Sequence, residues 1–105
     1  MSYKWPEKDP DETADFSVDW SRFLGSDSIV SSVFFVDDAS GTKTQVSTAQ
    51  IVNGLQFIAG TLAGNVATAR FGGGLNNVRY NVTCRINTTQ GLTYERSVTL
   101  PIRNR

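Results

Sequence analysis

The side chains that most often carry out catalysis are scarce in this sequence. The 105 residues include no His and a single Cys, Cys84. His is the commonest general base and metal ligand, and a thiolate zinc site needs several Cys. Nucleophilic catalysis needs a base beside the nucleophile, and glycoside hydrolysis needs two facing carboxylates, which the spacing of the acids does not provide. The composition therefore predicts a protein that is not an enzyme and that holds no metal or cofactor.

Two short segments have residue types that can bind ions. The run Asp9-Pro-Asp-Glu-Thr-Ala-Asp15 offers the hard oxygen ligands that Ca²⁺ prefers, but it lacks the spaced Asp-x-Asp-x-Asp-Gly loop. Gly72-Gly73-Gly74 could hold a phosphate on backbone N–H groups, but no G-x-x-x-x-G-K-[ST] motif is present. We interpret the first as a solvated acidic segment and the second as a turn between strands.

Charge is divided unevenly along the chain. The formal net charge is zero, yet residues 1–38 carry −6 and residues 39–105 carry +6. The late bases are scattered, and the acidic half would repel a phosphate backbone, which argues against nucleic acid as a partner. The longest apolar runs, such as Val33-Phe-Phe-Val36, have four residues, far too few to cross a membrane. The charge division instead favours a protein partner.

Alternating apolar and polar residues predict an all-β chain. Phe16, Val18 and Trp20 share one face of a predicted strand, and Tyr80, Val82, Cys84 and Ile86 share one face of another. Residues 29–36 are rich in β-branched and aromatic side chains, which favour strands. A helix over residues 48–63 is the competing interpretation, and the glycines in that stretch disfavour it by about 1 kcal/mol each relative to Ala.

About seven short strands with turn signals every ten or so residues are typical of an immunoglobulin-like β-sandwich. We assign residues 16–105 to that sandwich. Residues 1–15 contain Pro6 and Pro10 and show neither strand nor helix periodicity, so we predict an extended N-terminal arm. Deletion of residues 2–15 is then expected to leave the sandwich folded and to weaken assembly.

The acidic arm and the basic sandwich suggest self-association. Two aromatic residues in the arm would act as hot spots on a neighbouring subunit, and opposite charges would set the register. Such a head-to-tail contact closes into a ring or opens into a filament. Folding of the arm onto its own body is the alternative. The predicted protein-interface residues are Tyr3, Trp5, Asp9, Asp11, Glu12, Asp15, Arg79 and Arg85.

Several short motifs, in order, resemble small virion proteins of tailed bacteriophages described as fibre-to-tail adaptors. These motifs are Trp5-Pro6, Asp9-Pro-Asp-Glu12, Asp19-Trp-Ser21, Tyr80-Asn-Val-Thr-Cys-Arg-Ile86 and Arg96-Ser-Val-Thr-Leu100. The resemblance implies a structural protein of the virion, made in the host cytoplasm and present in several copies between tail or neck and fibres. Its partners would be other tail, neck and fibre proteins and copies of itself. The resemblance implies no catalytic site.

Recognition of a host surface or a carbohydrate is the alternative function. Loops of β-sandwiches often carry binding sites. In this sequence the loops concerned would be residues 71–77 and 87–91, which contain the turn-forming glycines on either side of the predicted strand at residues 79–86.

Overall fold

The computed structural model describes residues 3–104, with the backbone alone for Tyr3. Within that range the chain forms nine strands and one short helical turn, α1. In chain order these are β1 (Tyr3–Lys4), β2 (Thr13–Asp19), α1 (Ser21–Leu24), β3 (Ile29–Asp37), β4 (Lys43–Val46), β5 (Gln50–Val52), β6 (Leu55–Ala63), β7 (Val66–Gly73), β8 (Arg79–Thr88) and β9 (Thr93–Pro101).

The strands form two sheets that pack face to face. One sheet has five strands in the order β1-β9-β8-β3-β4, and the other has four in the order β2-β7-β6-β5. Neighbours are antiparallel, except that β1 runs parallel to β9. The predicted all-β sandwich is therefore confirmed. Nine strands replace the predicted seven or so because β1 and β5 have only two and three residues, too few to show alternation.

The alternating segments bury the faces that the sequence predicts. In β2, Phe16 and Val18 are buried while Ser17 between them is exposed. In β8, the even-numbered residues from Tyr80 to Ile86 are each at most 2% exposed. Because side chains alternate across a strand, each sheet presents an apolar inner face to the other.

Residues 48–63 form the hairpin of β5 and β6, so the helix considered as an alternative is absent from this stretch. Asn53 and Gly54 connect the two strands with φ of 49° and 85°. A two-residue turn with positive φ at both positions matches the twist of the flanking strands, and Asn-Gly is the pair that tolerates it best.

An aromatic chain runs through the core between the sheets. Phe16, Phe71, Phe57 and Phe34 stack in succession, with ring centroids 6.3, 5.7 and 5.9 Å apart. Trp5 joins this chain against Phe16, at a centroid distance of 5.2 Å. The N-terminal segment thus contributes a large side chain to the core.

The N-terminal segment lies on its own chain, the alternative that the sequence analysis kept open. Tyr3 and Lys4 pair with Val98 and Thr99, and the amide of Trp5 donates to the carbonyl of Thr99 at 2.9 Å. Further along, Lys8 forms a parallel bridge with Ile102. The predicted boundary after residue 15 falls inside β2, which starts at Thr13. The segment lies on its own chain because pairing with β9 satisfies its backbone groups and buries its indole ring.

Candidate docking surface

Trp5 lies in the core, although the sequence suggested that it contacts a neighbouring subunit. Its side chain is 8% exposed, and its indole N–H donates to the carbonyl of Ser17 at 3.0 Å. It therefore packs in the core of its own chain and exposes little surface to a partner. The side chain of Tyr3 lies outside the described part of the chain, so its role stays a prediction.

Residues Asp9–Glu12 form a tight, hydrogen-bonded turn, which we call the acidic turn. The Asp9 amide donates to a carboxylate oxygen of Glu12 at 2.8 Å, and the Asp11 amide donates to a carboxylate oxygen of Asp9 at 2.9 Å. Asp11 and Glu12 are exposed. These bonds fix the backbone of the turn, so its carboxylates are presented in a defined position. They bring together three of the predicted interface residues.

A buried lysine, Lys8, is hydrogen-bonded to the backbone of the acidic turn. Lys8 is 1% exposed, and its ammonium donates to the carbonyls of Asp9 at 2.9 Å and Gly73 at 2.6 Å. Burial lowers the pKa of Lys8, and the carboxylates of Glu12, Asp9 and Asp11 partly offset that effect. This role was not predictable from the sequence, because Lys8 stands among charged residues that indicate a solvated segment.

Asp15 does not belong to the acidic turn. It lies on the outer face of the four-stranded sheet, where the Arg70 side chain donates to both of its oxygens at 2.8 and 3.3 Å. The hydrogen bond from Arg70 lowers the pKa of Asp15. Asp15 is thus paired within the chain, across adjacent strands β2 and β7.

Arg85 lies on the outer face of the five-stranded sheet, in what we call the sheet-face cluster of Phe35, Lys43, Arg85 and Glu95. Its guanidinium lies 4.5 Å from the Phe35 ring centroid and pairs with Glu95. Lys43 donates to the other oxygen of Glu95 at 3.1 Å. Hydrogen bonds from Lys43 and Arg85 lower the pKa of Glu95. The cluster covers Phe35, leaving it 8% exposed.

Arg79 lines a cationic cleft at the end of the five-stranded sheet near the acidic turn. We define the cationic cleft by Lys4, Glu7, Asn77, Arg79 and Arg103, and its volume is about 470 Å³. Arg103 pairs with Glu7 at 3.4 Å, while among the described residues no acid pairs with Arg79 or Lys4. Lys4, Glu7 and Arg103 were not predicted as interface residues. The basic C-terminal half includes Arg103 but neither Lys4 nor Glu7, and the three converge only because residues 3–8 pair with the chain at residues 98–102.

The acidic turn and the cationic cleft are side by side. The Arg103 amide donates to the carbonyl of Lys8 at 2.9 Å, and Lys8 directly precedes the acidic turn. Arg85 is six residues from Arg79 along β8, which corresponds to roughly 20 Å at the rise of a strand. The predicted interface residues therefore fall into separate groups, of which only the acidic turn and Arg79 adjoin.

The two loops considered for carbohydrate recognition are far apart. Residues 71–77 precede β8, and residues 87–91 begin with its last two residues, so residues 79–86 of β8 separate the loops. Eight strand residues span roughly 26 Å. The loops therefore cannot line one common binding site.

Cys84, the single cysteine of the sequence, is buried. Burial raises the pKa of the Cys84 thiol to about 11, an effect that the Trp20 side chain and the charge of Arg96 oppose. The described part of the chain contains no group of three His, Cys, Asp or Glu placed to hold a metal ion. It also contains no helix that is long and apolar enough to cross a bilayer.

A known protein family matches most of the sequence. The family described as podophage GP4 fiber-tail adaptor protein gp77 matches residues 8–101, which begin just before the acidic turn and end with β9. No curated protein matches the sequence.

Proposed function

Because this chain belongs to the podophage GP4 fiber-tail adaptor family, we propose that it is a non-enzymatic structural protein of the virion tail that joins fibres to the tail by docking. The observation that carries this proposal is the family match over residues 8–101, which spans eight of the nine strands of the described chain. The family description itself names a fibre-tail adaptor. Synthesis in the host cytoplasm and incorporation into the particle follow from that role.

The acidic turn and the cationic cleft are the proposed docking surface for a tail or fibre protein. Their opposite charges adjoin, and the turn is held by its own hydrogen bonds and by Lys8. A partner with the inverse arrangement of charges would be oriented by both at once, since electrostatic complementarity sets register and association rate more than affinity. A preorganised surface also loses little entropy on binding.

The strand order supports an immunoglobulin-like topology. In that fold one sheet contains strands G, F, C and C′, and the facing sheet contains B, E and D. The order β9-β8-β3-β4 opposite β2-β7-β6 corresponds to it strand by strand. Cys84 lies on the strand that corresponds to F, without the second Cys of antibody domains. We propose that this module is used here as a rigid spacer between tail and fibre.

Charge reversal tests the docking surface. In a phage lacking the gene, variants supplied from a plasmid are compared by the number of copies that purified particles incorporate. Arg79→Glu and Asp11→Lys are expected to reduce incorporation, because each inverts one half of the surface. Arg22→Glu is the matched control, since Arg22 is an exposed arginine on α1, away from both halves. Equal incorporation of Arg79→Glu, Asp11→Lys and Arg22→Glu would contradict the proposed surface.

A further inference from the structure

One edge of the sandwich is formed by a stretch of the chain that contains no charged residue. Every charged residue lies at or before Lys43 or at or after Arg70, so the intervening stretch contains none. That stretch forms most of β4, all of β5 and β6, and the first half of β7. Depletion of charged residues is typical of the central part of a protein–protein interface. Exposed apolar residues accompany it, since Ile51 and Leu62 are 62% and 37% exposed.

The second half of β6 is an open strand edge. β5 pairs with β6 only from Leu55 to Phe57, because β5 has just three residues, Gln50–Val52. From Ala59 to Ala63 each residue pairs with β7 on one side. On the other side, no strand of residues 3–104 pairs with it. Its outward backbone N–H and C=O groups are therefore available to another strand.

The open edge borders a groove between the two sheets. The groove has a volume of about 460 Å³ and is lined by uncharged residues of β3, β4 and β6 and the segment after β4, including Phe34, Val46, Phe57 and Leu62. β3 pairs with β4 only from Phe34 to Asp37, so its earlier residues pair with β8 on one side and have no strand of the described chain on the side of the groove. Natural proteins usually protect such edges with Lys, Pro or a covering segment. The sequence Ala59-Gly-Thr-Leu-Ala63 contains neither Lys nor Pro.

We propose that two copies of this chain pair through β6, antiparallel and across a two-fold axis next to Gly60 and Thr61. This inference is independent of the adaptor function. Antiparallel pairing of identical edges satisfies the free backbone groups of both copies and joins two four-stranded sheets into one of eight strands.

The absence of charge favours a second copy as the occupant. At a two-fold axis each residue lies near its own counterpart, so any charged residue there would face the same charge. The stretch from residue 44 to residue 69 avoids that repulsion entirely. If a charged partner bound this edge, the edge would be expected to carry charges of the opposite sign, and residues 44–69 contain none.

Sedimentation equilibrium of the full-length protein over a concentration series tests the proposal. The wild-type chain is expected to form dimers. Thr61→Lys and Thr61→Glu, at an exposed position of β6, are each expected to raise the dimer dissociation constant about fivefold or more, because like charges then face each other across the axis. An equimolar mixture of the two variants is expected to recover a heterodimer at wild-type affinity or better. That recovery also shows that both variants are folded.

Thr68→Lys is the matched control, because Thr68 pairs with Thr61 but lies on β7, one strand further from the edge. Across the axis two Lys side chains at position 68 would be about 14 Å apart, three strand spacings. That separation exceeds the screening length of about 8 Å at physiological ionic strength, so wild-type dimerisation is expected. A wild-type chain that stays monomeric overturns the proposal, as does a dimer that both Thr61 variants leave intact.

Discussion

Replacement of Trp5 by Ala is the perturbation that most clearly distinguishes a packed N-terminal segment from a free arm. The indole is 8% exposed, contacts Phe16 and Phe71, and donates a hydrogen bond to Ser17 in β2. Truncation of a buried aromatic side chain to Ala costs roughly 3–5 kcal/mol. That loss is a large part of the roughly 5–15 kcal/mol that stabilises a typical domain.

Urea unfolding measures how much Trp5→Ala lowers the free energy of unfolding. It is followed by far-UV circular dichroism, because a fluorescence signal would change with the loss of a tryptophan. The midpoint is expected to fall with little change in the slope, because the same core unfolds. In thermal unfolding, each kcal/mol corresponds to a shift in Tm of roughly 4–8 °C for a domain of this size. Trp5→Phe should cost less, about 1–2 kcal/mol, because it keeps a ring in the core but removes the donor to Ser17.

Phe23→Ala supplies the control, since the Phe23 side chain is 53% exposed on α1. Its loss is expected to destabilise the protein much less than the loss of Trp5. If Trp5→Ala changes the free energy of unfolding by no more than about 0.5 kcal/mol, the range of ordinary surface substitutions, Trp5 is not part of the core. The N-terminal segment would then be a separate arm, as the sequence first suggested.

Three further substitutions or measurements test the packing around the core. Tyr80→Phe should cost about 1–3 kcal/mol in urea unfolding, because the Tyr80 hydroxyl donates to the Asn53 carbonyl at 2.6 Å and accepts from the Leu75 amide at 2.9 Å; an unchanged midpoint would contradict a stabilising role for these two hydrogen bonds. Cys84 should resist a thiol-specific reagent at pH 8 until urea unfolds the chain, because the thiol is buried and its pKa is raised to about 11; rapid labelling of the native protein would contradict that burial. The pKa of Asp27 is lowered, chiefly by a hydrogen bond from Thr89, so its ionised form stabilises the fold above about pH 4 and this contribution is lost as pH falls through the lowered pKa. Asp27→Asn should therefore reduce stability at pH 7 and weaken the pH dependence of the urea midpoint below pH 4, whereas an unchanged pH profile would refute the assignment.

Local sequence patterns predicted the strands that alternate strongly. Strand β2 and the turn after it were predicted from Phe16, Val18 and Trp20, and β8 was predicted from residues 80–86. In each strand the alternation marks one face that has to be buried. The Asn53-Gly54 pair likewise indicated the tight turn that closes the β5–β6 hairpin. In each case the information lies within a few residues.

Contacts between distant parts of the chain were not predictable in this way. Trp5 is fixed by the carbonyls of Ser17 and Thr99, and no local pattern near Trp5 specifies a parallel strand that follows more than ninety residues later. The same holds for Asp15, whose partner Arg70 is 55 positions away. The candidate site was therefore predicted only in part: the acidic turn and Arg79 are exposed and adjoin, whereas Trp5 and Asp15 are engaged within the chain.

The most direct test of the adaptor function is the fibre content of particles that lack this protein. Phage particles from a strain with the gene deleted, and from the same strain complemented with the wild-type gene, are purified and their proteins quantified by mass spectrometry. We expect that complemented particles contain this chain and the fibres, and that deleted particles retain tail proteins but lose the fibres. Fibres present at the wild-type ratio to tail proteins in the deleted particles would contradict it.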